Sequence, residues 1–351
     1  MATLKEILHM GREAKASDIH LTVGIAPGFR INGQLTAASL EVLKSEDTRA
    51  MVESMVNDRQ KQLLEEYGEL DLSYSLEDGS RFRVNIFKQK GDFALVLRLV
   101  NTVIPSAQSL GVPSSVIELY TQKRGLVLVT GPTGSGKSTT LAAMINQVNR
   151  NRDAHIITLE DPIEYIHQHH KSIVNQREIG FDTLSYANAL RAALREDPDV
   201  ILVGEMRDYE TISVAVTAAE TGHLVLSTLH TMGAANTIDR IIDVFPPHQQ
   251  QQIRVQLANT LVSVISQQLL PSIDDRGRVA AFEVLHSNHA VRNLIREGKS
   301  HQLLSVMQMN RKAGMITMDE SIQQLFMENR ISLETAFQFA VEPETMKGRL
   351  F

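Results

Sequence analysis

The stretch GPTGSGKST contains the residue types that hold phosphate groups in many nucleotide-binding proteins. Its glycines allow backbone N–H groups to turn inward around phosphates, at the positive end of the helix that follows. The lysine can reach the β- and γ-phosphates of a nucleoside triphosphate, and the next serine can supply a hydroxyl to Mg²⁺. The predicted phosphate-binding residues are Gly131, Pro132, Thr133, Gly134, Ser135, Gly136, Lys137, Ser138 and Thr139.

A second segment, DPDVILVGEMRD, contains candidates for the carboxylate that a nucleotide-hydrolysing site uses to hold Mg²⁺. The apolar residues 200–203 predict a short buried strand, and Gly204 stands where such a site usually carries an aspartate. Glu205 follows directly, while Asp199 and Asp208 flank the strand. The spacing leaves open which of these carboxylates contacts the metal.

The segment TLEDPIEY contributes Glu160, Asp161 and Glu164 at the end of another predicted strand. Pro162 ends that strand and fixes the turn, so the carboxylates should emerge at the carboxyl edge of the sheet, where α/β proteins bind ligands. An acidic surface turn has the same composition, but a position beside a phosphate-binding loop favours catalysis. Glu160 stays an alternative to Glu164 here.

The segment ETGHLVLSTLHT places His223 and His230 at the two ends of a predicted strand. Their spacing directs them to opposite faces of a regular strand, so they need a bend or different partners to act on one phosphate. Thr228 and Thr231 are candidates for hydroxyl contacts with a γ-phosphate. The alternative for each histidine is a packed or solvated residue without a ligand.

Arg81 and Arg83 share one face of a predicted strand in the N-terminal part of the chain. Exposed arginines are usually solvated, and that is the alternative interpretation. An arginine from another domain or a neighbouring subunit can stabilise the charge of phosphoryl transfer, with an effect of ~10³–10⁵ on rate.

The alternation of apolar strands with helices after Arg124 predicts βα units and a largely parallel sheet, so the overall expectation is an α/β fold. The strand candidates are LVLVTG, AHIITLE, VILVGE and HLVLSTLH. The chain after Pro246 is predicted to be mostly helical, beginning with HQQQQIRVQLANTLVSVISQQLL.

The first 100 residues are predicted to form strands and turns with a helical insert that ends near Tyr67. Asn32–Gly33 is a favoured two-residue hairpin turn, and the stretch after Tyr67 alternates polar and apolar residues as a three-stranded antiparallel meander. Residues 101–115 lack a sustained period and contain two prolines and a glycine, which predicts a linker. The predicted domains are therefore 1–100 and 116–351, with helices from about 247.

Composition limits the remaining possibilities. A length of 351 residues suits about two domains, and 43% hydrophobic with 22% charged residues is typical of a globular protein. The net charge of −6 argues against a dedicated nucleic-acid binder. There is no cysteine, no apolar run reaches the length of a membrane span, and the N-terminus, with Thr3 and Glu6 at capping-box spacing, predicts an amphipathic helix rather than a signal peptide.

The four motifs, in this order, resemble those of the secretion superfamily ATPases that drive type II secretion and type IV pili. ASDIHL, residues 16–21, is similar to the N-terminal signature of that superfamily. The resemblance runs essentially from end to end. It implies a PAS-like N-terminal domain followed by a RecA-like P-loop ATPase domain with a C-terminal helical region.

Within the superfamily the chain most resembles the retraction motors of type IV pili. AVRNLIREGK, residues 290–299, is similar to their C-terminal motif and departs from it at Val291. Assembly and secretion ATPases usually carry a four-cysteine zinc insertion and a longer N-terminal region, which this sequence lacks. An accessory retraction ATPase is the alternative, and the C-terminal motif is the main argument against it.

The resemblance also implies roles for the candidate residues. Glu205 would lie near Mg²⁺ and Glu164 would polarise the attacking water. His223 and His230 match a histidine box of the superfamily, and Arg81 and Arg83 match its N-terminal arginines.

The implied protein is a cytoplasmic homohexamer at the inner-membrane face of the pilus machine, with ATP and Mg²⁺ as cofactors. Its implied partners are a platform protein of the inner membrane and a paralogous accessory ATPase, with no nucleic acid. Association with the membrane is implied to be peripheral, through the platform protein. Two other classes stay open. A RecA-like nucleic-acid motor would be stimulated by single-stranded DNA, and a nucleotide-gated adaptor would bind ATP with little turnover.

Overall fold

The computed structural model describes residues 2–31, 33–100, 103–274 and 277–350. The chain has a mixed α/β fold with two sheets and divides into two compact units, Met1–Thr102 and Val103–Phe351. Across the described ranges, no helix combines the length and the apolar character needed to span a bilayer.

The first unit contains one antiparallel sheet with the strand order β3-β2-β1-β6-β5-β4. Its helices and strands are α1 (Leu4–Glu13), β1 (Asp18–Leu21), β2 (Gly28–Ile31), β3 (Gln34–Ala37), α2 (Ser45–Glu53), α3 (Asp58–Tyr67), β4 (Glu69–Ser75), β5 (Arg81–Gln89) and β6 (Asp92–Leu99).

Local sequence signals account for much of this unit. The capping box at the start of α1 is confirmed, because the Thr3 side chain accepts from the backbone of Glu6 and the Glu6 carboxylate accepts from the backbone of Thr3. The three-stranded meander is also confirmed as β4, β5 and β6. β2 pairs with β3 so that Ile31 lies opposite Gln34, while Asn32 of the predicted turn lies outside the described residues.

The second unit contains a sheet with the strand order β13-β12-β7-β11-β10-β8-β9, in which β13 is antiparallel to its neighbour. Its strands are β7 (Gly125–Thr130), β8 (His155–Glu160), β9 (Ile173–Glu178), β10 (Val200–Val203), β11 (Leu224–Leu229), β12 (Leu261–Pro271) and β13 (Arg278–His286). Its helices are α4 (Ser114–Ile117), α5 (Lys137–Asn151), α6 (Tyr186–Ala193), α7 (Tyr209–Glu220), α8 (Ala234–Asp243), α9 (Pro247–Thr260), α10 (His289–Glu297), α11 (Leu303–Met309), α12 (Met318–Met327), α13 (Leu333–Phe339) and α14 (Pro343–Leu350).

The four strand candidates of this unit are confirmed as β7, β8, β10 and β11, which pair in parallel. Every residue of β7, β10 and β11 is buried, because helices cover both faces of the sheet. The alternate residues of β7 enter different cores: Leu126 and Leu128 pack on one side of the sheet, and Val127 and Val129 on the other. These parallel strands end at one edge, which therefore collects the loops that follow them.

The prediction of mostly helical structure after Pro246 is wrong for Leu261–Pro271 and Arg278–His286. α9 ends at Thr260, and the next residues form the long strands β12 and β13. The apolar residues of LVSVISQQLL recur at helix-like spacing, but β12 lies between β7 and β13 and is buried on both faces, which suits β-branched side chains such as Val264 and Ile265. The helices predicted further on are present as α10 to α14.

The segment predicted as a linker belongs in part to the second unit. Asn101 and Thr102 lie outside the described residues. Ala107 and Val112 are buried in the core on the α5 side of the sheet, and the short helix α4 follows. The described part of the segment therefore packs against the core of this unit.

Candidate functional site

The phosphate-binding loop connects β7 to α5, as its sequence context predicts. Gly131, Gly134 and Gly136 have φ values of 140°, 80° and 88°, which other residues adopt only with strain. Gly136 forms the N-cap of α5 without a side-chain cap, so the backbone N–H groups of the first helical turn face the open end of the loop. This arrangement is a ready site for a phosphate.

Lys137 begins α5 and is held across the mouth of the loop. Its Nζ donates hydrogen bonds of 2.9 Å to the carbonyl oxygens of Gly131 and Pro132. Burial lowers the pKa of Lys137, and the negative charges of Glu164 and Glu205 oppose that shift. A cation is therefore fixed between the loop and two carboxylates that come from different segments of the sequence.

One pocket at the carboxyl edge of the second sheet brings together predicted residues from four separate segments of the sequence. Its lining combines the phosphate-binding loop, the acidic segment after β8, and the residues after β10 and β11. Lining residues include Thr133, Gly134, Lys137, Ser138, Glu160, Asp161, Glu164, Gly204, Glu205, Thr228 and His230. Sequence segments up to about a hundred residues apart therefore meet here, because parallel strands end at a common edge.

The residue at the tip of β10 is glycine because the neighbouring space is filled. A side-chain carbon added at Gly204 would lie 2.8 Å from the Tyr186 hydroxyl and 3.1 Å from the carbonyl oxygen of Leu159. An aspartate there would require Tyr186 to shift, and the carboxylate is supplied one residue later by Glu205. Burial raises the pKa of Tyr186, and the carboxylates of Glu205 and Asp161 contribute to the same shift.

Glu205 is held in a small charged network at the mouth of the pocket. Arg207 Nη2 lies 2.8 Å from Glu205 Oε2, and His230 Nε2 lies 3.6 Å from the same oxygen. Thr228 donates to the carbonyl oxygen of Gly204 at 2.6 Å, which ties the end of β11 to the end of β10. Glu205 and His230 are thus brought together, while Thr231 shares a 2.8 Å hydrogen bond with Thr237 instead.

Glu160 and Glu164 lie in the same pocket but differ in their surroundings. Glu160 Oε1 accepts hydrogen bonds from the Thr158 hydroxyl at 2.6 Å and from Gln176 Nε2 at 3.1 Å. Burial raises the pKa of Glu160, although these hydrogen bonds oppose the shift. Glu164 is exposed on the pocket wall, where its carboxylate can take a water molecule as a partner.

Several candidates lie away from this pocket. Asp199 precedes β10 at the amino edge, where its Oδ2 accepts from the backbone N–H of His155 at 2.8 Å. Asp208 caps α7 by accepting from the backbone N–H of Thr211. His223 precedes β11, so the length of that strand, ~20 Å, separates it from His230.

Arg81 and Arg83 lie on β5 in the first unit, with the alternation that the sequence predicts. Phe82 and Val84 are fully buried on the opposite face, whereas Arg83 is exposed and Arg81 is half-buried. Arg83 lies opposite Arg98 of β6, and Arg98 Nε donates to Asp18 Oδ1 at 2.8 Å. This face therefore carries both signs of charge near its centre, because Asp18 and Asp71 lie there with the two arginines.

Sequence reasoning missed Arg207 and Tyr186 as members of the site. Arg207 stands two residues after Glu205, and a basic residue so close to a metal-binding candidate was a usable signal. Tyr186 begins α6 and reaches the pocket through tertiary packing, so no local pattern marks it. His167, which also lines the pocket, is another omission, and burial lowers its pKa to about 4.

The segment AVRNLIREGK forms the predicted helix as α10. Val291 and Ile295 are fully buried and Leu294 packs partly against the same core, which confirms the predicted apolar face. Arg296 donates to Asn259 Oδ1 at 2.8 Å, and Arg292 donates to Ser287 Oγ at 3.3 Å. Both arginines are half-buried beside α9 and the end of β13.

The parallel sheet, the glycine-rich loop at the start of α5 and the acidic pocket together define a P-loop nucleotide-binding protein. The comparison with known families is more specific. The chain belongs to the Type II/IV secretion system protein family, whose model matches residues 1–338.

Curated relatives cover nearly the whole chain. A twitching motility protein of Neisseria gonorrhoeae is 51% identical over 320 residues, which span 91% of this chain and 86% of the relative. The type IV pilus retraction ATPase PilT of Pseudomonas aeruginosa is 46% identical over 97% of this chain and 99% of its own length. The type IV pilus ATPase PilU of the same organism is less similar, at 41% identity over 96% of this chain and 88% of its own.

A solved structure agrees with these sequence comparisons. The crystal structure of the pilus retraction motor PilT with bound ADP matches with a TM-score of 0.93 and 49% sequence identity. The match covers 99% of this chain and 100% of the other. The mixed α/β fold with two sheets is therefore shared with a nucleotide-binding member of the family.

Proposed function

We propose that this chain is a hexameric motor ATPase that hydrolyses ATP to power the retraction of type IV pili. The observation that carries the proposal is the pocket in which Lys137, Ser138, Glu164 and Glu205 line one space beside the phosphate-binding loop. A loop without the carboxylates would suit nucleotide binding alone, whereas two carboxylates from different segments suit hydrolysis. Two of the relatives described above are named a twitching motility protein and a pilus retraction ATPase, which supports the pilus as the target of the work.

The chemistry begins with the phosphates. Lys137 exchanges its bonds to the loop carbonyls for the β- and γ-phosphates, which places its positive charge where negative charge develops. Glu164, exposed on the pocket wall, orients a water molecule towards the γ-phosphorus and accepts its proton. The water oxygen bonds to the γ-phosphorus as the bond from that phosphorus to the bridging oxygen of ADP breaks. His230 stands beside Glu205 and can contact the γ-phosphate.

The donor atoms in the pocket also fit Mg²⁺. The Ser138 hydroxyl and the Glu205 carboxylate supply oxygen atoms to the same space, and Mg²⁺ is commonly bound by one or two such groups together with substrate phosphates. When bound, the ion neutralises charge on the β- and γ-phosphates. Arg207 already pairs with Glu205, so this ion pair holds the carboxylate at the mouth of the pocket before the nucleotide arrives.

The remaining candidates act in the assembled ring under this proposal. Arg81 and Arg83 supply positive charge to the phosphates during hydrolysis, as the resemblance implies. The same resemblance implies that His223 is functional. We propose that His223 does not act in the nucleotide pocket of its own chain. The first unit is proposed to be PAS-like, residues 1–100, and the second RecA-like, residues 116–351.

The proposed setting is the cytoplasmic face of the inner membrane, where a PilC-like platform protein transmits the motion to the pilus and a PilU-like paralogue assists. The half-buried arginines of α10, Arg292 and Arg296, provide a surface for such coupling. The proposal thus separates a chemical site at the sheet edge from a mechanical surface on α10.

A strain that lacks this gene tests the proposed function. We expect excess surface pili and no twitching, and we expect both phenotypes to revert with the wild-type gene. The Arg150→Ala variant, changed at the far end of α5, should also restore movement, whereas Lys137→Ala should not. Normal twitching in the deletion strain would contradict a primary retraction role, and a defect confined to retraction against load would favour the accessory role.

A further inference from the structure

Gln267 on β12 lies directly against the phosphate-binding loop. β12 pairs in parallel with β7 so that Ser266 is opposite Thr130, the last residue of β7. Gln267 is therefore level with Gly131, where the loop begins. The side chain of Gln267 is 3% exposed, so the strand presents a buried amide to the underside of the loop.

The backbone of Gln267 limits the start of the loop. A side-chain carbon at Gly131 would collide with the Gln267 carbonyl oxygen, and the φ of 140° at Gly131 is open mainly to glycine. The carbonyl oxygen of Gly131 is also one of the two acceptors for Lys137 Nζ. The position of β12 thus affects one of the groups that hold the catalytic lysine.

The side chain of Gln267 contacts the other end of the loop. Its Oε1 accepts a 2.7 Å hydrogen bond from the hydroxyl of Thr140, which lies in the first turn of α5 and is 1% exposed. Its Nε2 lies 2.9 Å from the position that a side-chain carbon would occupy at Gly136. One residue therefore touches the loop before and after Lys137.

We infer that Gln267 is a positioning residue for the nucleotide phosphates. It fixes the separation between Gly131 and the first turn of α5, and this separation determines where the loop N–H groups and Lys137 Nζ point. Buried hydrogen bonds of this kind resist distortion because a broken bond leaves a polar atom without a partner in a water-free space. The inference rests on the proposed function, since it concerns the same nucleotide site.

The geometry distinguishes this role from general packing. Packing requires volume, which methionine would preserve, whereas positioning requires the amide oxygen that Thr140 binds. The adjacent Gln268 offers a matched control, since it is 7% exposed on the same strand and its side chain points to the opposite face. The same substitution at the two sites thus separates contact with the loop from effects on the strand.

The experiment measures ATP turnover and ADP affinity for Gln267→Met, Gln268→Met, Thr140→Val, Thr140→Ser and the Gln267→Met/Thr140→Val pair. Wild-type turnover is measured first, because its absence would overturn the proposed function without reference to Gln267. We expect Gln267→Met and Thr140→Val each to raise the KM for ATP and the Kd for ADP by about tenfold to a hundredfold. The double variant should be no worse than either single variant, because both remove the same bond.

Thr140→Ser keeps the hydroxyl and should bind nucleotide as the wild type does, and Gln268→Met should do the same. A structural defect would lower the melting temperature and the folded fraction but would leave KM unchanged in the folded enzyme. Wild-type KM in Gln267→Met, additive losses in the double variant, or an equal loss in Gln268→Met would each overturn the inference. If Gln267→Met does not fold, the contrast between Thr140→Val and Thr140→Ser decides.

Discussion

The two edges of the second sheet carry the same residue types with different consequences. At the carboxyl edge, Glu205 and His230 face a pocket that also contains the catalytic lysine candidate. At the amino edge, Asp199 and His223 bond to nearby backbone groups. The position along a parallel strand therefore decides whether a carboxylate or imidazole is available for chemistry.

The difference has a physical origin in the loops. At the carboxyl edge, Glu205 pairs with the Arg207 side chain, and Glu164 is exposed on the pocket wall. At the amino edge, Asp199 accepts from His155 N–H, and His223 Nδ1 lies 2.9 Å from the Ala218 carbonyl oxygen. Groups used in this way stabilise strand ends and have less capacity for a ligand.

The largest effect is expected from Lys137→Ala, which removes the positive charge of the carboxyl-edge pocket. ATP turnover should fall to background while the melting temperature changes little, because the cation contacts the phosphates and its loss leaves the core intact. Steady-state phosphate release by the purified variant checks this. Arg150→Ala, at the exposed end of α5, is the matched control, and substantial turnover in Lys137→Ala would refute the assignment.

Variants of Arg81 and Arg83 test whether positive charge from the first unit takes part in ATP hydrolysis. The double variant Arg81→Ala/Arg83→Ala should lower turnover by ~10³-fold, within the range known for arginines that stabilise phosphoryl transfer. Nucleotide affinity should change far less, because these residues act on charge that develops during the reaction. Arg59→Ala, an exposed arginine of α3, serves as the control. Full turnover in the double variant would mean that both arginines are surface residues.

The two histidines compare the edges directly, since each flanks one end of β11. We expect His230→Ala to weaken binding of a non-hydrolysable ATP analogue by about tenfold, as for the loss of one hydrogen bond to a charged group. His223→Ala should leave that affinity unchanged, because its ring lies at the other end of the strand. Isothermal titration of both variants measures this contrast. Equal losses of affinity in the two variants would contradict the view that only the carboxyl edge binds nucleotide.

Much of this organisation follows from the sequence. The loop from Gly131 to Thr139, the strands β7, β8, β10 and β11, and the helix α10 have local signals that the structure confirms. Those signals are strong because glycine spacing and apolar runs reflect backbone requirements within one segment.

Other features depend on distant contacts and were not predictable in the same way. The apolar spacing of β12 suits either a helix or a strand, and its burial between β7 and β13 decides the outcome. Tyr186 reaches Gly204 from a separate helix, so the reason for glycine at the end of β10 emerges from the packing. Arg207 does not depend on distant contacts, because its position two residues after Glu205 is visible in the sequence.

The smallest effect is expected at the amino edge. Asp199→Ala removes the acceptor for His155 N–H, which should cost about 1 kcal/mol at this exposed position and lower the melting temperature by ~2–4 °C. Turnover at 25 °C should stay within about twofold of the wild type, since the pocket is unchanged. Calorimetry and an activity assay on the same sample check both values. A large loss of turnover would restore Asp199 as a catalytic candidate.

The proposed roles, Glu164 as the base for water and Glu205 as a ligand of Mg²⁺, are tested by ATP turnover against Mg²⁺ concentration for Glu164→Gln and Glu205→Gln. We expect Glu205→Gln to need more Mg²⁺ to reach its maximal rate, because the proposed metal ligand has lost its charge. Glu164→Gln should bind ATP and Mg²⁺ normally but turn over slowly, because the water has lost its base. A Mg²⁺ shift in Glu164→Gln without one in Glu205→Gln would exchange the two roles, and full activity in both would contradict the proposed site.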